Sequence, residues 1–127
     1  MKQLGLHILM EFSECQSEVL NNLELLEKEM NQAAKVSKAT IIKSVFHQFA
    51  PQGVTGVVVV AESHLAIHTW PEHGYAAVDF FTCNMSMDYQ KAYDHLVEIL
   101  NSKKHTYKSV ERGFVQSKVT ENELSRS

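Results

Sequence analysis

The sequence predicts an α+β fold, a two-layer sandwich in which a mostly antiparallel sheet carries two helices on one face and dimerises through the other. Three observations predict it. "LGLHILMEF" alternates in side-chain character, two stretches near residues 17–35 and 86–100 repeat apolar residues at intervals of three and four, and β-branched runs broken by turn residues lie between them. The resulting order, β, α, several β, α, β, is that of an antiparallel sheet with its helices segregated to one side.

In the first strand Leu4, Leu6, Ile8, Met10 and Phe12 share one face, and His7, Leu9 and Glu11 the other. From Ser17 to about Lys35 the period becomes helical, with Val19, Leu20, Leu23, Leu26, Met30 and Ala33 inward and Glu24, Glu27 and Lys28 outward. Residues 39–49 are β-branched and aromatic, "APQG" interrupts them, and "TGVVVV" starts a further strand. A second helix is predicted from Ser86 or Asp88, carried by Tyr89, Ala92, Tyr93, Leu96, Ile99 and Leu100. Residues 105–115 read as a last, edge strand.

The 127 residues fit one domain, taken here as 1–116, with a polar, aperiodic tail, 117–127, expected to be disordered. A formal charge of −3 without a Lys/Arg block excludes nucleic acid and anionic membranes as partners of choice. No apolar run approaches the roughly 20 residues that span a bilayer. Two cysteines without a CxxC pair, and an N-terminus without a signal-peptide pattern, set the expectation of a reduced, cytoplasmic protein.

Between "ESHLAIHTW" and "YAAVDFFTC" lie only "PEHG", so the simplest hairpin pairs Trp70 with Tyr75 and makes every paired position sum to 145. Leu65, Ile67, Thr69, Ala76, Val78, Phe80 and Thr82 then face the helices. The other face carries His64, Ala66, His68, Trp70, Tyr75, Ala77, Asp79, Phe81 and Cys83. The same register puts the Glu62–Ser63 peptide bond within about 5 Å of the Cys83 strand position, and hydroxyl, imidazole and thiol are expected to converge. Trp70, Tyr75 and Phe81 are too much aromatic surface for a small monomer to leave wet, which predicts a homodimer through that face.

The stretch "ESHLAIHTWPEHGYAAVDFFTC", with "FHQFAPQGVTGVVVVA" before it, resembles the core of the prokaryotic S-adenosylmethionine decarboxylases, self-cleaving enzymes that make their own pyruvoyl cofactor. The resemblance implies that the chain is a zymogen cut between Glu62 and Ser63, Ser63 attacking the Glu62 carbonyl and becoming the pyruvoyl group. It implies His68 as the proton carrier of processing and Thr55, where many relatives have serine, as its assistant. Cys83 is implied as proton donor in turnover, and Phe49, Trp70 and Glu72 as substrate-binding residues, the ring of Phe49 on the purine and the Glu72 carboxylate on ribose hydroxyls. The implied activity is decarboxylation of S-adenosylmethionine, through a Schiff base with the pyruvoyl carbonyl, for polyamine (spermidine) biosynthesis. The implied assembly is a dimer with shared active sites, and no residue is assigned to a metal.

The chemistry is coherent: removing carbon dioxide from an α-amino acid leaves electrons that no ordinary side chain can hold, and a carbonyl cofactor supplies the sink. A thiol with an ordinary pKa near 8.5 is still protonated at neutral pH and able to deliver a proton. Other readings stay open. Ser63 alone reads as a solvated hydroxyl, His68 as a sheet histidine, Cys83 as a small hydrophobe, Glu72 as a turn carboxylate, and Phe49 and Trp70 as core or interface aromatics. Arginine or ornithine decarboxylation on the same scaffold is an alternative, as is an unprocessed ligand-binding relative. A metal site from His64, His68, His73 and Cys83 is the rival chemistry. Asn84 and His73 depart from the family's usual residues without removing a reacting group, and His7, His47 and His105 receive no role.

Overall fold

The computed structural model describes residues 2–84 and 86–115; the expected tail, 117–127, lies outside them. Six antiparallel strands form one sheet in the order β2-β3-β4-β5-β1-β6. In chain order the elements are β1 (Lys2–Ser13), α1 (Ser17–Leu20), α2 (Leu23–Val36), β2 (Ile41–Gln48), β3 (Val54–Val60), β4 (Ser63–Trp70), β5 (Tyr75–Thr82), α3 (Tyr89–Ile99) and β6 (Lys104–Val115). The first strand pairs with both the fifth and the last, so residues from both ends of the chain meet on the two strands at one edge of the sheet.

The core lies between the helices and one sheet face. Ile8, Met10 and Phe12 of β1, Val58 of β3, Leu65 and Ile67 of β4, and Ala76, Val78 and Phe80 of β5 are buried against Leu26, Met30, Ala92 and Leu96 of the helices. These are the alternate positions the sequence assigns to that face, because side chains reverse sides at each step along a strand. The β4–β5 register pairs Ser63 with Thr82 and Trp70 with Tyr75, the predicted sum of 145 at every position. Pro71–His73 form a single turn of 3-10 helix, and Gly74, at φ 60°, completes the reversal.

One prediction fails in detail. The single helix expected over 17–35 is two, broken at Asn21 and Asn22. The Asn22 side chain caps α2 by accepting the Leu25 N–H (3.1 Å), while Asn21 Oδ1 accepts from the Gly53 N–H (2.9 Å) and the Gln48 side chain (2.8 Å). Asparagine side chains that bind backbone elsewhere compete with helix continuation, and here they tie α1 to the β2–β3 loop. Thr69 fastens the same corner from the sheet. Its buried hydroxyl donates to the Leu20 carbonyl (2.7 Å) and accepts from the Val54 N–H (2.9 Å). The second helix begins after Asp88, whose side chain accepts the Lys91 N–H (3.3 Å), within the predicted window.

Candidate active site

The Glu62–Ser63 junction sits where β4 begins, and continuing the hairpin register by one step sets Glu62 opposite Cys83. The Glu62 carbonyl oxygen accepts two hydrogen bonds from that one residue, from the backbone N–H at 3.0 Å and from the thiol Sγ at 3.2 Å. The Glu62 carboxylate is held from the other side, accepting from the Thr40 N–H (3.1 Å) and hydroxyl (3.3 Å). Ser63 has a φ of 153°, a conformation L-residues rarely adopt and one that costs about 1–3 kcal/mol. The chain therefore presents a carbonyl polarised by two donors, immediately before a serine held in a strained backbone.

A second group assembles at the opposite end of β4. Phe49, Thr55, His68, Trp70 and Glu72, all singled out from the sequence, line one cavity of about 310 Å³ with Gln52, Gly53 and Thr69. Cross-strand pairing sets Thr55 beside His68, and its hydroxyl lies 3.1 Å from His68 Nδ1. The Trp70 ring stacks obliquely on Tyr75 at 5.4 Å, and Phe49 meets His47 edge-on at 4.6 Å. Phe49 and Trp70 remain 47% and 41% exposed, so the reading of either as a plain core aromatic does not hold within one chain.

The expected convergence of hydroxyl, imidazole and thiol is thus only partial. The thiol meets the Glu62–Ser63 junction, whereas His68 lies five residues along β4 from Ser63, about 17 Å at roughly 3.3 Å per residue. Alternation predicts which face a side chain occupies and says nothing about distance along the strand.

A third cluster lies on the same open face. Asp79 Oδ2 accepts from His7 Nε2 at 2.7 Å and from His64 Nε2 at 2.9 Å, and Arg112 Nη1 approaches His7 Nδ1 at 3.4 Å. The guanidinium also sits 5.4 Å from the centre of the Phe81 ring. Parity placed His64 and Asp79 on this face, but His7 and Arg112 reach it only through the β5–β1 and β1–β6 pairings, whose long-range partners no local pattern reveals. Burial opposes ionisation of Asp79, yet the hydrogen bonds and charge of His64 and His7 outweigh it and hold the carboxyl below its ordinary value. Burial and the Glu11 carboxylate that accepts its hydrogen bond push Tyr75 up to about 12.

The rival metal set is dispersed. His64 points to Asp79, His68 to Thr55, and Cys83 to the Glu62 carbonyl, while His73 lies in the turn. Among the described residues the group with three ligand atoms near one another is His7, His64 and Asp79. There the Arg112 donor faces the nitrogen of His7 that a metal-bound imidazole would use to donate a hydrogen bond outward, an unsuitable setting for a ligand.

Comparison with known proteins gives concordant matches. The family model described as S-adenosylmethionine decarboxylase matches residues 6–113. A protein of Thermotoga petrophila named S-adenosylmethionine decarboxylase proenzyme is 56% identical over 113 residues, 89% of this chain and 87% of its own. One of Caldicellulosiruptor saccharolyticus with the same name is 49% identical over 119 residues, 94% of this chain and 96% of its own. The crystal structure of the adenosylmethionine decarboxylase from Aquifex aeolicus superposes with a TM-score of 0.84 at 38% identity, covering 95% of this chain and all of that one.

The Asp79 cluster makes a pH prediction. A carboxyl depressed by folding stabilises the protein above the unfolded value near 3.9, and that contribution is lost as the pH falls through the lower folded value. Asp79→Asn is expected to lower stability at pH 7 by about 1–3 kcal/mol and to flatten the acid side of the stability curve, read from urea midpoints between about pH 5 and 3. Parallel curves for the two proteins would remove Asp79 from the acid response.

Proposed function

The chain belongs to the S-adenosylmethionine decarboxylase family, and on that premise we propose that it cleaves itself at Glu62–Ser63 and then decarboxylates S-adenosylmethionine. The observation that carries this reading is the pair of hydrogen bonds from Cys83 to the Glu62 carbonyl. As Ser63 Oγ bonds to that carbonyl carbon, negative charge develops on the oxygen that both donors already hold, the geometry of an oxyanion site. The C–N bond breaks, the hydroxyl proton passes to the amine of Ser63, and an ester replaces the amide. Removal of the Cα proton of Ser63 then breaks its Cβ–Oγ bond and releases Glu62 as a carboxylate. The residue left behind takes up water and loses ammonia to become a pyruvoyl group. Release of the strained φ at Ser63 favours the same direction.

Ser63 behind a doubly hydrogen-bonded carbonyl fits this origin of the cofactor. A pyruvoyl group at position 63 would supply the carbonyl electron sink that decarboxylation of an α-amino acid requires. Cys83, beside the junction, supplies the proton that the substrate carbon then needs. The cavity at the far end of β4 suits an adenosyl group, with the Phe49 and Trp70 rings for the purine and the Glu72 carboxylate for hydroxyl donors. The name of the relatives, S-adenosylmethionine decarboxylase proenzyme, favours this substrate over arginine or ornithine. Decarboxylated S-adenosylmethionine is the aminopropyl donor of spermidine synthesis, which places the reaction in polyamine biosynthesis.

Ser63 and Trp70 stand at opposite ends of one strand, about 23 Å apart by strand rise, too far for one substrate to engage both in a single chain. A twofold dimer through the open sheet face resolves this, because it lays the Ser63 end of one copy over the adenosyl cavity of the other. His68 and Thr55 of one copy then serve Ser63 of its partner, and the exposed rings are covered. Two free cysteines, one of them reactive, fit a reducing cytoplasm. No helix among the described residues is long and apolar enough to cross a membrane.

Two experiments test this reading. Cys83→Ala retains the backbone donor, so its self-cleavage slows by less than the 10²- to 10³-fold typical of a lost oxyanion donor, whereas turnover falls about 10²- to 10⁴-fold for want of a positioned acid. Cleavage and carbon dioxide release on one preparation measure both, and wild-type turnover would make Cys83 a packing residue. Sharing of sites is read by complementation. Ser63→Ala and Glu72→Ala are each inactive, but an equimolar refolded mixture recovers about one quarter of wild-type activity, since half the dimers carry one intact site. A mixture as inactive as its parts would place each site within one chain.

A further inference from the structure

Beside the scissile junction lies a cavity of about 420 Å³, distinct from the adenosyl cavity and lined by Leu4, Gly5, Phe81, Cys83, Arg112 and Gly113. Its shape follows from the sheet. Gly5 pairs with Arg112 on one side, and one step beyond the Leu6–Thr82 pair it faces Cys83 on the other. The thiol and the guanidinium therefore arise from strands on either side of a residue with no side chain, with Cα atoms about 10 Å apart at roughly 4.8 Å per strand. A Cβ at Gly5 would meet the Phe81 ring at 2.6 Å, so glycine both seats that ring and leaves the slot open.

Arg112 is the one cation of this lining. Among the described residues no carboxylate pairs with it, the ion pairs being those of His7, His64 and His95. Its contact with His7 Nδ1 occupies one N–H of a fork that carries five, and the Phe81 ring fixes its plane from the side. His7 is in turn anchored on Asp79. An oriented, unpaired guanidinium in a mostly apolar slot beside a reactive thiol is a receptor for a carboxylate.

We infer that Arg112 binds the α-carboxylate of the substrate, an assignment that rests on the decarboxylase reading of the same junction. With the α-amine directed to the residue derived from Ser63 and the carboxylate to Arg112, the bond to be broken lies over Gly5 and beside Cys83. The contact is made with the bound substrate and is lost when neutral carbon dioxide forms, so its effect falls on binding. His7 and Asp79 act as positioning residues for the guanidinium.

The test compares ligands with and without the carboxylate on the processed enzyme. Arg112→Gln should cleave itself as the wild type does and raise KM for S-adenosylmethionine about 10- to 100-fold, the range of a lost charged hydrogen bond. The inhibition constant of the decarboxylated product should stay within about twofold, and Arg112→Lys should recover part of the loss. Equal weakening of substrate and product, or of neither, overturns the inference. So does a lower thermal stability of the cleaved form with KM unchanged, which assigns the guanidinium to the new carboxylate at Glu62. On the wild type alone, the substrate methyl ester should bind more weakly than the acid, and equal binding overturns the inference even if the variants fail to fold. A protein that prefers the acid yet releases no carbon dioxide would refute decarboxylation and leave the carboxylate contact standing.

Discussion

The register of the β4–β5 hairpin is the constraint on which the chemistry depends. It sets Cys83 opposite Glu62, so that one residue offers two donors to one carbonyl. A slip of β5 by one residue against β4 would turn Asp79, Phe81 and Cys83 toward the helices and bring Val78 and Phe80 of the core into the open. Burial of that core opposes such a slip. At roughly 25 cal/mol per Å² of apolar surface, exposing even two of those side chains costs several kcal/mol. The turn holds the same register at its other end, where Gly74 adopts φ 60° and an added Cβ would meet the Cys15 carbonyl oxygen at 3.3 Å. Packing on one face thereby fixes reactivity on the other.

From this follows a site in two halves. Strand β4 carries the junction at its start and the imidazole and indole at its end, and a rigid strand cannot fold back on itself to join them. Along the open face the residues form three groups: Glu62 and Cys83, at the junction with Ser63, for the proposed covalent chemistry, His64, Asp79, His7 and Arg112 as a hydrogen-bonded chain beside it, then Thr55, His68, Trp70 and Glu72 around the far cavity. In a twofold pairing this polarity becomes complementarity, because each end meets the other end of a second copy. The proposed dimer would complete the catalytic site as well as cover exposed rings.

Much of this was legible in the sequence because the relevant rules are local. Alternation in "LGLHILMEF" and in the two hairpin strands gave the faces, and the four residues "PEHG" gave the register that sets Cys83 against Glu62. What escaped was non-local. The break between α1 and α2 depends on Asn21 binding Gly53, 32 residues away, which a helical period cannot register. Arg112 and His7 stand 105 residues apart in sequence, and only the pairing of β1 with β6 brings them together. The separation of His68 from Ser63 was implicit in the strand's rise, but a common face was read as a common site. Glu72 and Phe49 were found through the family resemblance, and their shared cavity depends on two turns meeting at one end of the sheet.

The central claim is that the hydrogen-bonded carbonyl before Ser63 is a reacting group. Its most direct test is the mass of the purified protein under denaturing conditions after incubation at neutral pH. Self-processing predicts a chain of 62 residues ending in a free carboxylate and one of 65, from 127 less 62, whose first residue lacks an amine and reacts with carbonyl reagents. A single intact chain that persists, with Ser63 unmodified, would contradict the account.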